Sequence, residues 1–152
     1  MKISLVSFGK PGSAFVSDEV SRYLKRLRRA ARVEEVELKE SRREDKRSGL
    51  SEEALAFEKR FPAGTSTRII LSEEGKLMDT LRLSKWLEAR ASSHLVFLIG
   101  SAYGIDDSLK SSADLLLSLS PLTFTHDHAR VILAEQVYRC LMVMAGHPYH
   151  HQ

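Results

Sequence analysis

The residues able to do chemistry crowd toward the C-terminal end of the chain. Five of the six histidines stand there, at His126, His128, His147, His150 and His151, beside Arg130, Arg139 and Tyr149. Imidazole and phenol groups can accept or relay a proton, and guanidinium groups can steady a developing negative charge or hold a phosphate. Nearby lies the glycine-rich run Gly100-Ser101-Ala102-Tyr103-Gly104, which directly follows the apolar stretch HLVFLI. Glycine at such a point permits positive φ and lets a ligand approach the backbone closely. The run matches neither the three-glycine dinucleotide fingerprint nor a P-loop, and the former excludes a nicotinamide-type oxidoreductase. His126, Asp127 and His128 lack the spacing of a helical or carboxylate-paired metal set, so no metal site is expected. Aromatic and imidazole groups in the tail, with arginines close in sequence, suit base stacking and phosphate contact better.

The frame that must position these groups is a chain of 152 residues, enough for one domain over residues 1–152. Apolar residues make up 43% and charged residues 28%, which is globular composition and excludes a disordered or fibrous chain. No apolar run reaches the roughly 18 residues of a membrane span, and the N-terminus does not read as a signal peptide, so a cytoplasmic protein with no membrane association is expected. Cys140 is the single cysteine, which leaves no intrachain disulfide. The net charge is only +3, yet Arg22, Lys25, Arg26, Arg28, Arg29 and Arg32 form a basic run without acids, followed by Arg42, Arg43, Lys46 and Arg47. Such a run is either a solvated helix face or an electrostatic footprint for phosphates.

Short apolar runs alternate with amphipathic stretches. Strands are expected at residues 3–8, 33–38, 68–72, 94–100 and 114–120, and helices at 13–31, 51–61, 79–91, 106–112 and 128–145. Continuous branched runs such as LVFLI read as strands buried on both faces, and the alternation predicts an α/β fold with a mostly parallel sheet flanked by helices. Ser13, Ser51 and Ser84 are candidate helix N-caps, and residues 39–49 read as a charged, mobile loop. In parallel sheets ligands bind beyond the carboxyl ends of strands. That directs attention to Leu71-Ser72-Glu73-Glu74-Gly75, to the 100–104 run, and to Leu119-Ser120-Pro121-Leu122-Thr123-Phe124. The last helix is apolar around most of its circumference, through Val131, Ile132, Leu133, Ala134, Val137, Leu141, Met142, Val143 and Met144. Such a helix needs cover on more than one side, which suggests a homodimer interface in preference to a central core helix.

The motifs KIxLVxFGK at the start, LIG-SAYG, LSPLTFTH, R-x-x-L-x-E-Q-x-Y-R from Arg130 to Arg139, and the terminal HPYH resemble the SPOUT-class pseudouridine N3-methyltransferases of large-subunit ribosomal RNA. The resemblance covers essentially the whole chain. It implies a C-terminal trefoil knot, S-adenosylmethionine as methyl donor, a homodimer, and large-subunit ribosomal RNA on the ribosome as partner. Carried over by motif, cofactor contacts would come from Leu71, Gly100, Gly104, Leu119, Ser120, Pro121, Leu122, Thr123 and Phe124. The catalytic set would be His126, Arg130, Arg139, Tyr149 and His150, with Tyr149, His150 and Arg139 acting as a unit, placed across the dimer. Two positions depart from the family pattern: Ser101 replaces a second glycine, and Thr125 replaces a proline. A serine at 101 would be strained if that position required positive φ. The competing reading is a non-catalytic RNA-binding module for ribosome assembly, which would have no use for an apolar, glycine-gated pocket.

Overall fold

A computed structural model describes residues 1–151; Gln152, the last residue of the expected domain, lies outside them. Strand and helix alternate without exception: β1 (Lys2–Phe8), α1 (Ala14–Leu27), β2 (Arg32–Leu38), α2 (Lys46–Arg60), β3 (Thr67–Leu77), α3 (Thr80–Glu88), β4 (His94–Ile99), α4 (Asp107–Ser111), β5 (Leu115–Ser118) and α5 (His126–Met144). The five strands form one sheet in the order β2-β1-β4-β3-β5, and every pairing is parallel. A parallel sheet needs cover on both faces, and the two-residue period of the strands provides it. Ile3, Leu5, Ile69, Leu71, Leu95 and Phe97 join the core under α1, α3 and α5, while Val6, Phe8, Ile70, Val96 and Leu98 join a second core under α2 and α4.

Two expectations about helix starts are corrected by the caps. Ser13 does cap α1, accepting from the Val16 N–H. α2 and α3, however, start from Asp45 and Asp79, whose carboxylates accept from Ser48 N and Arg82 N at 2.8 Å. Aspartate satisfies the free N–H groups at a helix start as well as serine does and adds a favourable charge against the helix dipole. α2 therefore begins five residues before Ser51 and absorbs part of the expected 39–49 loop. Ser84 instead lies inside α3, where its buried hydroxyl donates to the Cys140 carbonyl and pins α3 to α5.

The structure accounts for part of the apolar circumference of α5. The helix lies against the sheet between α1 and α3, and Leu133, Ala134, Val137, Cys140, Leu141 and Met142 are all buried within the one chain. Val137 and Leu141 are core residues of the single chain, whereas Val131, Ile132, Val143 and Met144 of the same helix are only half-buried.

β3 carries the irregularity that shapes one site wall. Leu71 and Lys76 both lie opposite Leu117 of β5, so residues 72–75 loop out between them. Gly75 lets the strand come back: a Cβ there would sit 2.5 to 2.7 Å from the Leu117 and Ser118 backbone, a gap only glycine tolerates.

Candidate functional site

The three strand ends converge. They enclose a cavity of about 320 Å³ beyond the carboxyl ends of β3, β4 and β5. Leu71, Gly100, Gly104, Leu119, Ser120, Leu122 and Phe124 line it, and His126 stands at its edge. Pro121 and Thr123 belong to the same loop, but both are exposed and neither contributes to the wall. Ser72, Glu73 and Glu74, noted after β3, form a polar rim, and the structure adds wall residues the sequence did not single out: Ile99, Ile105, Leu117 and Ala129 extend the apolar lining and Lys110 joins the rim. Lys110 pairs with Glu74 at 3.2 Å, and no spacing in the sequence announces that contact across 36 positions.

Local hydrogen bonds explain why the loops hold their shapes. Gly104 N donates to Ser101 O at 2.9 Å, closing a turn in which Gly104 has φ of 98°. Gly100 is needed for a different reason. A Cβ on it would collide with the Gly104 carbonyl and lie 2.8 Å from Ile105 Cγ1. Among the described residues no non-glycine has positive φ, so Ser101 sits without strain. In the following loop Ser118 Oγ donates to Ser120 O, and Ser120 Oγ accepts from Leu122 N. Thr125, the second departure from the family pattern, is the N-cap of α5 and accepts from His128 N.

The first turn of α5 is clamped to the β1–α1 connection. Asp127 Oδ2 accepts from Gly12 N at 2.9 Å, and a Cβ on Gly12 would lie only 2.5 Å from that oxygen. Arg130 is 4% exposed and donates through Nη2 to the Phe8 and Gly9 carbonyls at 2.8 Å each. It is committed to the end of β1 and does not open onto the cavity wall. His126 keeps a third of its side chain exposed, with Nε2 3.7 Å from Asp127 Oδ1.

The remaining candidates gather elsewhere. Arg139 grips Glu135 through Nε at 2.9 Å and Nη2 at 2.5 Å, and its guanidinium stacks 4.7 Å above the Tyr149 ring. That hydrogen-bonded carboxylate raises the Arg139 pKa further. Tyr149 packs edge-on against Tyr138 at 4.8 Å, and its hydroxyl lies 3.4 Å from Glu135 Oε1. Burial, and next the bond its hydroxyl donates toward Tyr23, push the Tyr149 phenol up, so it stays protonated and acts as a donor. Arg26 of the basic run lies over both the Tyr138 and Tyr149 rings. His150 Nδ1 is buried and makes no hydrogen bond among the described residues. Tyr23, Glu135 and Tyr138 are the members of this cluster the sequence did not single out, although two of them fall within the EQxYR motif.

Cavity and tail cluster do not meet within one chain. His126 and Arg139 are thirteen positions apart on one continuous helix, which at 1.5 Å per residue is about 20 Å. Among the described residues no group of three or more His, Cys, Asp or Glu side chains could hold a metal ion, and no helix is long and apolar enough to cross a membrane.

The family model described as "Predicted SPOUT methyltransferase" matches residues 1–150. Among relatives, the ribosomal RNA large subunit methyltransferase H of Methylobacillus flagellatus is 40% identical over 160 residues, covering 100% of both chains. The protein of the same name from Gloeobacter violaceus is 37% identical over 151 residues, covering 99% of each. Among solved structures, a methylase family protein from Haemophilus influenzae Rd KW20 superposes with a TM-score of 0.58 at 10% identity, over 99% of this chain and 70% of that one, a likeness of fold alone. The parallel sheet, the three convergent strand ends and the full-length match give one conclusion: this chain belongs to the SPOUT methyltransferase family.

Proposed function

We propose that the protein is a homodimeric enzyme that transfers a methyl group from S-adenosylmethionine to N3 of a pseudouridine in large-subunit ribosomal RNA, on cytoplasmic ribosomes. The observation that carries this reading is the division of α5: a backbone-lined apolar cradle at its start, and a cationic, aromatic cluster about 20 Å along. The relatives' printed names supply the ribosomal RNA.

The cradle fits the cofactor. Gly100, Leu119, Leu122 and Phe124 leave a pocket with apolar walls and free backbone groups, which can recognise an adenine without a charged side chain. Gly104 and Leu71 would complete the contacts, with Ser120 and its neighbours Pro121 and Thr123 setting the loop's path. When bound, the sulfonium supplies an electrophilic methyl carbon. The protein's own task is to hold the base in line, exclude water and take the imide proton from N3. His126, at the edge of the cavity, is one candidate acceptor. His150 is the other, with Tyr149, stacked under Arg139, as a relay, and the length of α5 favours their arrival from the second subunit. Arg130 acts by fixing the first turn of α5. Leu122 (73% exposed) and Phe124 (37%), at the cavity, and Phe15 (69%), in the first turn of α1, provide apolar surface for a two-fold contact. In this reading the segment from β5 onward threads the knot that brings the 119–125 loop against the 100–104 loop.

Mixing two defective proteins tests the arrangement. Gly100→Val removes the cradle and keeps the tail, while a chain ending at Gly146 keeps the cradle and loses the tail. Each alone should fail to label ribosomes with methyl groups, and mixed dimers should recover part of the activity. Wild-type protein that sediments as a monomer at micromolar concentration would overturn the dimer. Absence of S-adenosylmethionine binding by calorimetry would overturn the enzyme reading in favour of an RNA-binding module.

A further inference from the structure

The cavity wall changes character from one side to the other. Around Gly100, Leu119, Leu122 and Phe124 it offers apolar side chains and backbone groups. On the side made by α4 and the looped-out residues of β3 it carries Lys110, Glu73 and Glu74. Among the described residues that line the cavity, Lys110 is the one ammonium. Its side chain is only 21% exposed, and it donates to Glu74 Oε2 at 3.2 Å, with Asp107 Oδ1 3.6 Å away. Both carboxylate partners are far more open to solvent, Glu74 at 71% and Asp107 at 96%.

The fold gains little from this arrangement. Solvent screens an ion pair whose acidic partners are so exposed, and ordering a lysine stem to make it costs rotamer entropy. Nor does an adenine on the apolar side call for a charge. A ligand that ends in a carboxylate does, because an ammonium drawn in against the wall and already aimed binds an anion with little further ordering.

S-adenosylmethionine has the same division as the wall: a flat heterocycle at one end and an α-amino acid, with its ionised carboxylate, at the other. We infer that Lys110 is a specificity-determining residue of the cofactor site, binding the carboxylate of the cofactor's amino-acid end while the adenine takes the apolar side. The role rests on the proposed S-adenosylmethionine site and deepens it. Glu74 offers Lys110 a partner of the same chemical kind, from a segment that bulges out of β3. Cofactor binding then exchanges one carboxylate for another, and the lysine is never left unpaired.

The test uses the full chain and two probes, S-adenosylmethionine and decarboxylated S-adenosylmethionine, which differ in that carboxylate. Both are titrated by calorimetry into wild type, Lys110→Met, Lys110→Arg and Glu74→Gln. Wild type should prefer the carboxylated probe about tenfold. Lys110→Met should lose the preference by weakening S-adenosylmethionine alone, and unchanged affinity for the decarboxylated probe shows that the cavity is intact. Lys110→Gln repeats the measurement should Lys110→Met misfold. Lys110→Arg should keep most of the preference, and Glu74→Gln should keep all of it, since the competing carboxylate is gone. A preference that survives the loss of the ammonium would overturn the inference, and so would a preference lost in Glu74→Gln. Wild type that binds both probes equally also overturns it and leaves the proposed function standing, whereas wild type that binds neither overturns both.

Discussion

The two ends of α5 are built on opposite principles. At the start, side chains serve the backbone: Thr125 caps, Asp127 holds Gly12, and Arg130 binds the carbonyls that end β1. At the far end, side chains serve one another, as Arg139, Glu135, Tyr138 and Tyr149 form a stack with Arg26 laid across it. The first arrangement fixes geometry around a cavity whose selectivity comes from shape. The second presents charge and aromatic faces, which suits a large flexible anion such as an RNA strand. One helix thus carries a rigid end and an adaptable end, with an apolar middle wedged between α1 and α3.

The middle should be the most sensitive of the three. Val137→Glu puts a carboxylate at a position with no exposure, and should cost about 4 kcal/mol or more, unfolding the chain instead of merely separating subunits. Circular dichroism with sedimentation checks this, and a folded monomer would restore Val137 to an interface. Removing the tail after Gly146 should lower methyl transfer by about 100-fold or more while leaving cofactor affinity within severalfold. A wild-type rate from that chain would leave His126 as the remaining candidate base. Gly12→Ala attacks the rigid end, where the new methyl would press on Asp127. It should cost about 1 to 2 kcal/mol in a thermal melt and weaken cofactor binding, whereas the same loss placed in the tail should leave that binding alone. Neutralising Arg26, Arg28 and Arg29 together should weaken ribosome binding and flatten its salt dependence, with cofactor affinity unchanged. The smallest effect belongs to Cys140, in the wedge. Burial pushes its thiol up to about 12, so iodoacetamide at pH 8 should leave it unmodified until urea is added.

All ten elements were legible because most strands hold a short apolar run, because β2 (RVEEVEL) spaces its apolar residues among glutamates, and because each long helix follows a polar break. The helix starts were less so: Asp45 and Asp79 compete for the capping role with serines a few residues later, and local sequence does not decide between them. The cover of α5 was illegible for a stronger reason. Its apolar residues read the same whether α1 and α3 or a second subunit lies against them, and only the tertiary packing shows that Leu133, Val137 and Leu141 face the core. The cavity's loops were found from strand ends, but the Lys110–Glu74 pair joins elements far apart in sequence and left no periodic trace. Gly75 stands among the residues noted after β3, yet its reason, the Leu117 backbone, belongs to another strand.

The strand order β2-β1-β4-β3-β5 also governs how the chain can be made. β1 pairs with β2 early, Lys2 opposite Arg32, but its other edge waits for β4, where Lys2 meets His94. During synthesis the first hundred residues therefore emerge with an apolar strand bare along one side, and β3 must wait for its neighbours on both sides, β4 and β5. Long-range parallel pairing of this kind is slow, because loop closure must precede any gain from contact. The nascent chain is most exposed to misassociation just before β4 arrives, and a holding chaperone would act with greatest effect in that interval.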